Sequence, residues 1–198
     1  KIRRVRSAVP IRASRTSRAI TRSAAPSNVS DLSIPHQILD DLVAHARELD
    51  PFECCGFLAG TNNTVTRVYR IKNVVSLDGA AQAASFDNAK VEHLSRLSPE
   101  ERAEIAFIMD AQEMFQAVKD MRKHGLTLQV VYHSHPHDPA RPSITDIKIA
   151  NEWEENWSRL NLALPIYMLV SLMDKAHPDV RGYWIKNGSV VPASILPI

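Results

Sequence analysis

The chain predicts an α/β fold, a single mixed β-sheet flanked by helices, and three observations carry that reading. Segments with helical spacing alternate with apolar runs of strand length. Hairpin signatures stand at both ends of the alternation, so antiparallel pairs must share the sheet with helical crossovers. Across 198 residues, enough for one domain with a sizeable core, no internal repeat and no second core is visible.

Ser33-Ile34-Pro35 is expected to open the first helix, in which Ile38, Leu42, Ala46 and Leu49 recur at helical spacing and which Pro51 ends. Cys54 to Ala59 is an apolar strand, Thr61-Asn62-Asn63-Thr64 supplies turn residues, and Val65 to Val74 returns as a second strand of alternating polarity. The stretch from Ser76 to Ser98 has weak periodicity and reads as loop with short elements, a flap anchored by Phe86. Asp110-Ala111-Gln112-Glu113 has capping-box spacing. Met114, Val118 and Met121 stripe the helix that follows up to His124, and Gly125 stops it. A strand running into His133 comes next, then a helix from Ser143 that turns Ile147, Ala150 and Trp157 to the core, then a buried strand from Ile166 to Met173. A hairpin follows, Arg181 to Ile185 and Ser189 to Val191, around Asn187-Gly188, a pair that favours a type I′ turn.

The chemistry concentrates after the apolar run Val130-Val131-Tyr132. His133 and His135 lie two apart on a strand and therefore share a face, so both imidazoles can reach one ion. Asp146 can supply a third ligand. Two neutral nitrogens and one carboxylate oxygen suit Zn²⁺, and three protein ligands leave the fourth tetrahedral position open, the mark of a catalytic site. Other readings fit less well. His137 follows Pro136, which interrupts the strand. The order His-Ser-His-Pro-His-Asp is not that of metallo-β-lactamase-like hydrolases. An amidohydrolase barrel takes ~250 residues, yet only 63 follow His135. Ser143 and Asp146 alone would be a capping box.

Written as a pattern, His-x-His, seven residues, then Ser-x-x-Asp resembles the signature of the JAMM (MPN-plus) metalloprotease family. The resemblance spans roughly Ser33 onward and is to the small stand-alone prokaryotic members, through Met109-Asp110 ahead of a helix, the Tyr-His-Ser-His-Pro run, and Tyr167 to Leu172. It implies a JAB/MPN-like, cytidine-deaminase-like architecture. It also implies an upstream glutamate, and Pro51-Phe52-Glu53-Cys54-Cys55-Gly56 looks like that segment, with Glu53 as the general acid and base. The motif's serine, here Ser143, would donate a hydrogen bond to the oxyanion. The implied activity is hydrolysis of the peptide or isopeptide bond after the C-terminal glycine of a ubiquitin-like or sulfur-carrier protein. The task would be tail trimming or cysteine release, with one catalytic Zn²⁺ as cofactor and a C-terminal diglycine on the substrate reaching the metal by pairing with a sheet edge. Two alternatives remain open. One is a non-catalytic scaffold of the same fold, disfavoured because every expected ligand is present. The other is a RadC-like DNA-associated role, for which no helix-hairpin-helix module precedes the domain.

Charge bears on that last alternative. Residues 1–30 hold Lys1 and seven arginines, eight of the 24 bases, and none of the 22 acids, leaving 16 bases against 22 acids in the remainder. The body is acidic, so counterion release could come only from the basic segment, and nucleic acid is disfavoured as a partner. Residues 1–30 are expected to be a disordered leader or tail. They resemble a transit peptide in composition, without an initiating Met, a signal core or a cleavage site. The metalloprotease domain is expected at 31–198. No apolar run approaches the ~20 residues of a spanning helix, so no membrane partner is expected. Cys54 and Cys55 would point to opposite faces of a strand as buried small hydrophobes, not a disulfide or a nucleophile, and suit a reducing compartment, the cytoplasm. Trp153, Trp157 and Trp184 read as core or interface anchors; Glu152, Glu154 and Glu155 read as a solvated helix face. His36, His45, His93, His124 and His177 read as surface or capping residues. A homodimer stays open.

Overall fold

The computed structural model describes residues 31–80, 86–159 and 163–198; the basic segment 1–30 lies outside them. Among the described residues eight strands form one mixed sheet: β1 (Leu32–Ile34), β2 (Cys55–Thr61), β3 (Thr64–Ile71), β4 (Thr127–His135), β5 (Ile166–Ser171), β6 (Asp179–Lys186), β7 (Ser189–Pro192) and β8 (Ile195–Pro197). Among the same described residues five helices accompany them: α1 (His36–Leu49), α2 (Asn88–Ser95), α3 (Pro99–Ile105), α4 (Ala111–Lys123) and α5 (Ile144–Arg159). The strand order is β7-β6-β5-β4-β2-β3-β1-β8. The hairpins β2–β3, β5–β6 and β6–β7 are antiparallel. β4 runs parallel to β5 through the α5 crossover, and β1 runs parallel to both β3 and β8, so the sheet is mixed as the alternation of elements predicts.

Side-chain alternation sorts the core onto two faces. Cys55, Phe57, Ala59, Val131, Tyr167 and Leu169 pack beneath Ala117 and Met121 of α4 and Ile147 and Ala150 of α5. Cys54, Leu58, Val130, Tyr132, Met168 and Val170 pack against Leu42 and Ala46 of α1. The two cysteines therefore face opposite ways, both free and both fully buried. Gly56 is required where β2 passes Tyr132: a Cβ there would lie 2.2 Å from the Tyr69 carbonyl oxygen and 2.7 Å from the Tyr132 ring. Asn187 and Gly188 both take positive φ, 49° and 73°, as a type I′ turn needs.

Several expectations are corrected. Leu32–Ile34 is a strand that pairs with β3 and β8, so α1 starts only after Pro35. The expected strand to Val74 stops at Ile71, and the Ser76 to Ser98 stretch contains α2, whose N-cap Asp87 accepts the Lys90 N–H. α3 is a further helix with a complete capping box, Ser98 and Glu101 bonding each other's backbone. These two short helices cover a small core of their own, Val75, Leu94, Ala103 and Ala106, to which Phe86 adds its ring. At α4 only half of the expected box forms. Asp110 accepts the Glu113 N–H, but the Glu113 carboxylate accepts the N–H of Lys72. His45, expected at the surface, is buried with its Nδ1 2.9 Å from the Tyr132 hydroxyl. Its pKa is lowered by burial and by the Arg70 charge. Trp153 and Trp184 pack against the two cores, whereas the side chain of Trp157 lies outside the described residues.

Candidate metal centre and active site

The metal motif lies at the C-terminal end of β4, on the face shared with α4 and α5. Pairing of His133 with Cys55 on one side and Leu169 on the other places this strand in the middle of the sheet, so the histidines rest on rigid backbone. Asp146 comes from the first turn of α5. Ser143 fixes its direction: the Ser143 N–H donates to the Asp146 carboxylate at 2.7 Å, and the Ser143 hydroxyl accepts the Asp146 N–H at 3.2 Å. The capping geometry thus aims the carboxylate at the strand. The two Nε2 atoms are 3.0 Å apart, and they lie 3.5 Å (His133) and 3.7 Å (His135) from the Asp146 oxygens.

A tetrahedral Zn²⁺ with bonds of ~2.0–2.1 Å holds its ligand atoms about 3.3 Å apart, so these side chains fit such an ion. Tautomer chemistry agrees. The Pro139 carbonyl, 2.9 Å from His135 Nδ1, can only accept, so that nitrogen carries the proton and Nε2 presents a lone pair. Two imidazoles and a carboxylate crowd together with side chains 5%, 7% and 12% exposed, an arrangement suited to holding a cation. Burial opposes charge on Asp146, yet His133 and the hydrogen bonds from His133, His135 and Ser143 hold its carboxyl well below the usual range. Burial likewise lowers His135, but Asp146, the Pro139 carbonyl and Glu53 carry it above its ordinary value. Among the described residues, these three form the group of ligand atoms close enough to share an ion.

Two cavities flank the group. A polar one of about 490 Å³ is lined by Glu53, Lys90, His135, Asp138, Arg141, Ser143 and Asp146 among others. An apolar one of about 190 Å³ is lined by Phe86, Phe107, Met109, Met114, Val131, His133 and Trp153 among others. Glu53 precedes β2, is 7% exposed, and lines the polar cavity. Burial pushes its carboxyl up to about 8, with Asp146 adding and with His135 and Lys90 opposing. Ser143 is exposed at the cavity mouth. Burial raises the Cys54 thiol to about 12 and Cys55 well above its ordinary value, so neither supplies a thiolate nucleophile near neutrality.

The family profile described as prokaryotic homologs of the JAB domain matches residues 35–186. The chain belongs to this JAB family. A CysO-cysteine peptidase of Mycobacterium tuberculosis is 28% identical over 159 residues, covering 80% of this chain and 86% of that protein. A probable TtuB-protein conjugate cleaving protease of Thermus thermophilus is 32% identical over 119 residues, 60% of this chain and 63% of that one. The solution structure of a Desulfitobacterium hafniense protein superposes with a TM-score of 0.56 at 29% identity, covering 84% of this chain and 92% of that one.

Several residues that support this JAB site escaped the sequence reading. Asn73 makes four hydrogen bonds: its Nδ2 donates to the carbonyls of Glu53 and Ala106, and its Oδ1 accepts from Val75 and Ile108. It therefore ties the Glu53 segment to the one carrying Phe107, whose ring stacks on His133 with centroids 4.5 Å apart. Ser134, between the two histidines, points to the other face and clasps Cys54, its hydroxyl accepting the Cys54 N–H at 2.8 Å and its own N–H donating to the Cys54 carbonyl. Only the serine inside His-x-His gave a sequence signal. Asn73 bonds locally to Val75 alone, and its other three partners are 20 to 35 positions away, so nothing near it in sequence marks it as part of the site.

Proposed function

We propose that this JAB domain, residues 31–198, is a zinc-dependent peptidase or isopeptidase. It would hydrolyse the bond after the C-terminal glycine of a ubiquitin-like or sulfur-carrier protein. The observation that carries the reading is the convergence of His133 Nε2, His135 Nε2 and an Asp146 carboxylate at 3.0 to 3.7 Å, beside a cavity lined by buried Glu53. The named relatives, peptidases of carrier conjugates, support the choice of bond.

In this proposal His133, His135 and Asp146 hold one Zn²⁺, which supplies a Lewis acid for the scissile carbonyl and lowers the pKa of water to about 7. Glu53 accepts the proton of the attacking water and hands it to the leaving amine, from a buried position on the cavity that His135 and Asp146 also line. Ser143 donates its hydroxyl hydrogen to the oxyanion while its oxygen keeps accepting from Asp146. The substrate tail cannot pair with a sheet edge at this point, because β4 is interior and the edges are β7 and β8. The tail is received instead along Ala106–Ile108, which lies between the two cavities, and a diglycine passes there because it has no side chains.

Zinc per chain tests the ligand set. About one ion is expected in the wild type, with loss in His135→Ala and retention in Glu53→Gln. A wild type that takes up no zinc overturns the peptidase reading. Replacing the last glycine of a carrier by a bulky residue is expected to block cleavage while leaving carrier binding largely intact; undiminished cleavage refutes the narrow passage.

A further inference from the structure

We propose that Lys90 and Arg141 form a carboxylate-binding subsite for the leaving group, so that the enzyme prefers to release a single amino acid over a lysine side chain of a protein. The inference rests on the peptidase reading above and names which conjugate that site takes. It starts from the asymmetry of the two cavities. Glu53 lines the polar cavity and is absent from the lining of the apolar one. The group that passes a proton to the leaving amine must touch it. The leaving group therefore sits in the polar cavity.

Two cations reach that space. Lys90, on α2, donates its Nζ to the Ile105 carbonyl at 3.2 Å, and Arg141 lies in the loop between β4 and α5, its N–H turned back to the Pro139 carbonyl. Among the described residues neither side chain is paired with a carboxylate, whereas Lys148 of the neighbouring helix face is held by Asp87. The acids of the cavity are Glu53, Asp138 and Asp146. Two of these have other work in the proposed reaction, so both cations remain available to an incoming anion.

An amino acid bonded through its α-amine carries a carboxylate one carbon from the nitrogen that leaves. A lysine side chain bonded through Nζ has none there, and its backbone carboxyl is committed to a peptide bond. A guanidinium fits a carboxylate through two parallel hydrogen bonds, and an ammonium adds a further charge-assisted one. Hydrolysis adds water across the amide bond, leaving the carrier's glycine as a carboxylate and the amino acid as a free amine, so no other reactant is needed.

The test uses the zinc-loaded full chain and a ubiquitin-fold sulfur carrier ending in two glycines and extended by one cysteine, prepared as the free acid and as the C-terminal carboxamide. The wild type is expected to cleave the free acid with a kcat/KM about tenfold above the carboxamide, the size of one charge-assisted contact. Arg141→Gln and Lys90→Gln are expected to lose much of that preference through KM for the free acid, and Arg141→Lys to recover part of it. Equal kcat/KM for the two forms in the wild type overturns the subsite, as does a preference that persists in both Gln variants. Cleavage of neither form would instead overturn the peptidase reading beneath it.

Discussion

Glu53 is buried by neighbours from three places in the chain: Asn73 holds its carbonyl, Ala103 takes its N–H, and Ser134 clasps the next residue. With the carboxyl fixed in this way, Glu53→Gln is expected to lower kcat by about 10² to 10⁴ while zinc content is kept, measured by cleavage beside metal analysis. Ser143→Ala removes both the oxyanion donor and the cap of Asp146. A fall in kcat of about 10² to 10³ is expected, with about 1 kcal/mol lost from stability, and urea unfolding separates the two effects. Asn73→Ala is expected to lower kcat with zinc retained, because the ligands stand on β4 while Glu53 shifts. The Glu53 pKa also sets a pH dependence. The folded, metal-free protein binds a proton between the ordinary 4.5 and about 8 that the unfolded chain has released. Stability from this group is therefore full below the unfolded value and is lost as pH rises through about 8, and raised His135 adds a loss of the same sign at the upper end. In chelator, thermal midpoints should fall across that range in the wild type and fall less steeply in Glu53→Gln. An unchanged slope in that variant would assign the effect elsewhere.

At the level of elements, the legible parts were those with local chemistry. α4 announces itself by Asp110 and Gly125, the β6–β7 hairpin by Asn187-Gly188, and the ligand strand by its apolar run. Each signal acts over a few residues, so no tertiary knowledge was needed to read it. β1 and β8 were missed because three-residue strands carry no measurable period and exist only by pairing with each other and with β3. α2 and α3 were missed for a related reason: their apolar residues serve a small satellite core, leaving little amphipathic stripe to detect. His-x-His and Ser-x-x-Asp were legible as a set because strand alternation and helix capping each fix direction. Lys90, Arg141 and Asn73 were not, since nothing local distinguishes a cavity-lining cation or a buried amide. Gly56 belongs to the same scale. Gly56→Ala would drive a methyl onto the Tyr69 carbonyl of the paired strand, and a loss of more than about 3 kcal/mol is expected in chemical unfolding.

Across the whole molecule, the site joins the sheet to the helices that cover it. β4 supplies two proposed ligands and α5 the third, so an ion bound there would tie the crossover helix to the central strand. Zinc at a thousand times its dissociation constant is expected to add about 4 kcal/mol of stability, visible as a higher midpoint that chelator reverses. Removal of residues 1–30 is expected to leave zinc uptake and carrier cleavage in place; loss of either would give the basic segment a part in the reaction. No helix of the described residues is long and apolar enough to cross a membrane. The two ends of the strand order are joined by only Ala193 and Ser194, whose backbone bonds Gly182 of β6 and Leu32 of β1, so the sheet curls around α1 until its margins nearly meet. Ile198 completes the seam by accepting the first N–H of α1 and donating to Ile34. During synthesis on the ribosome β1 emerges well before its partner β8, so this seam stays open until the chain has reached Ile198. Until then β1 presents an unpaired margin able to recruit a second nascent chain, so deleting Ile195–Ile198 should be felt first as aggregation in the cell and only then as lost catalysis.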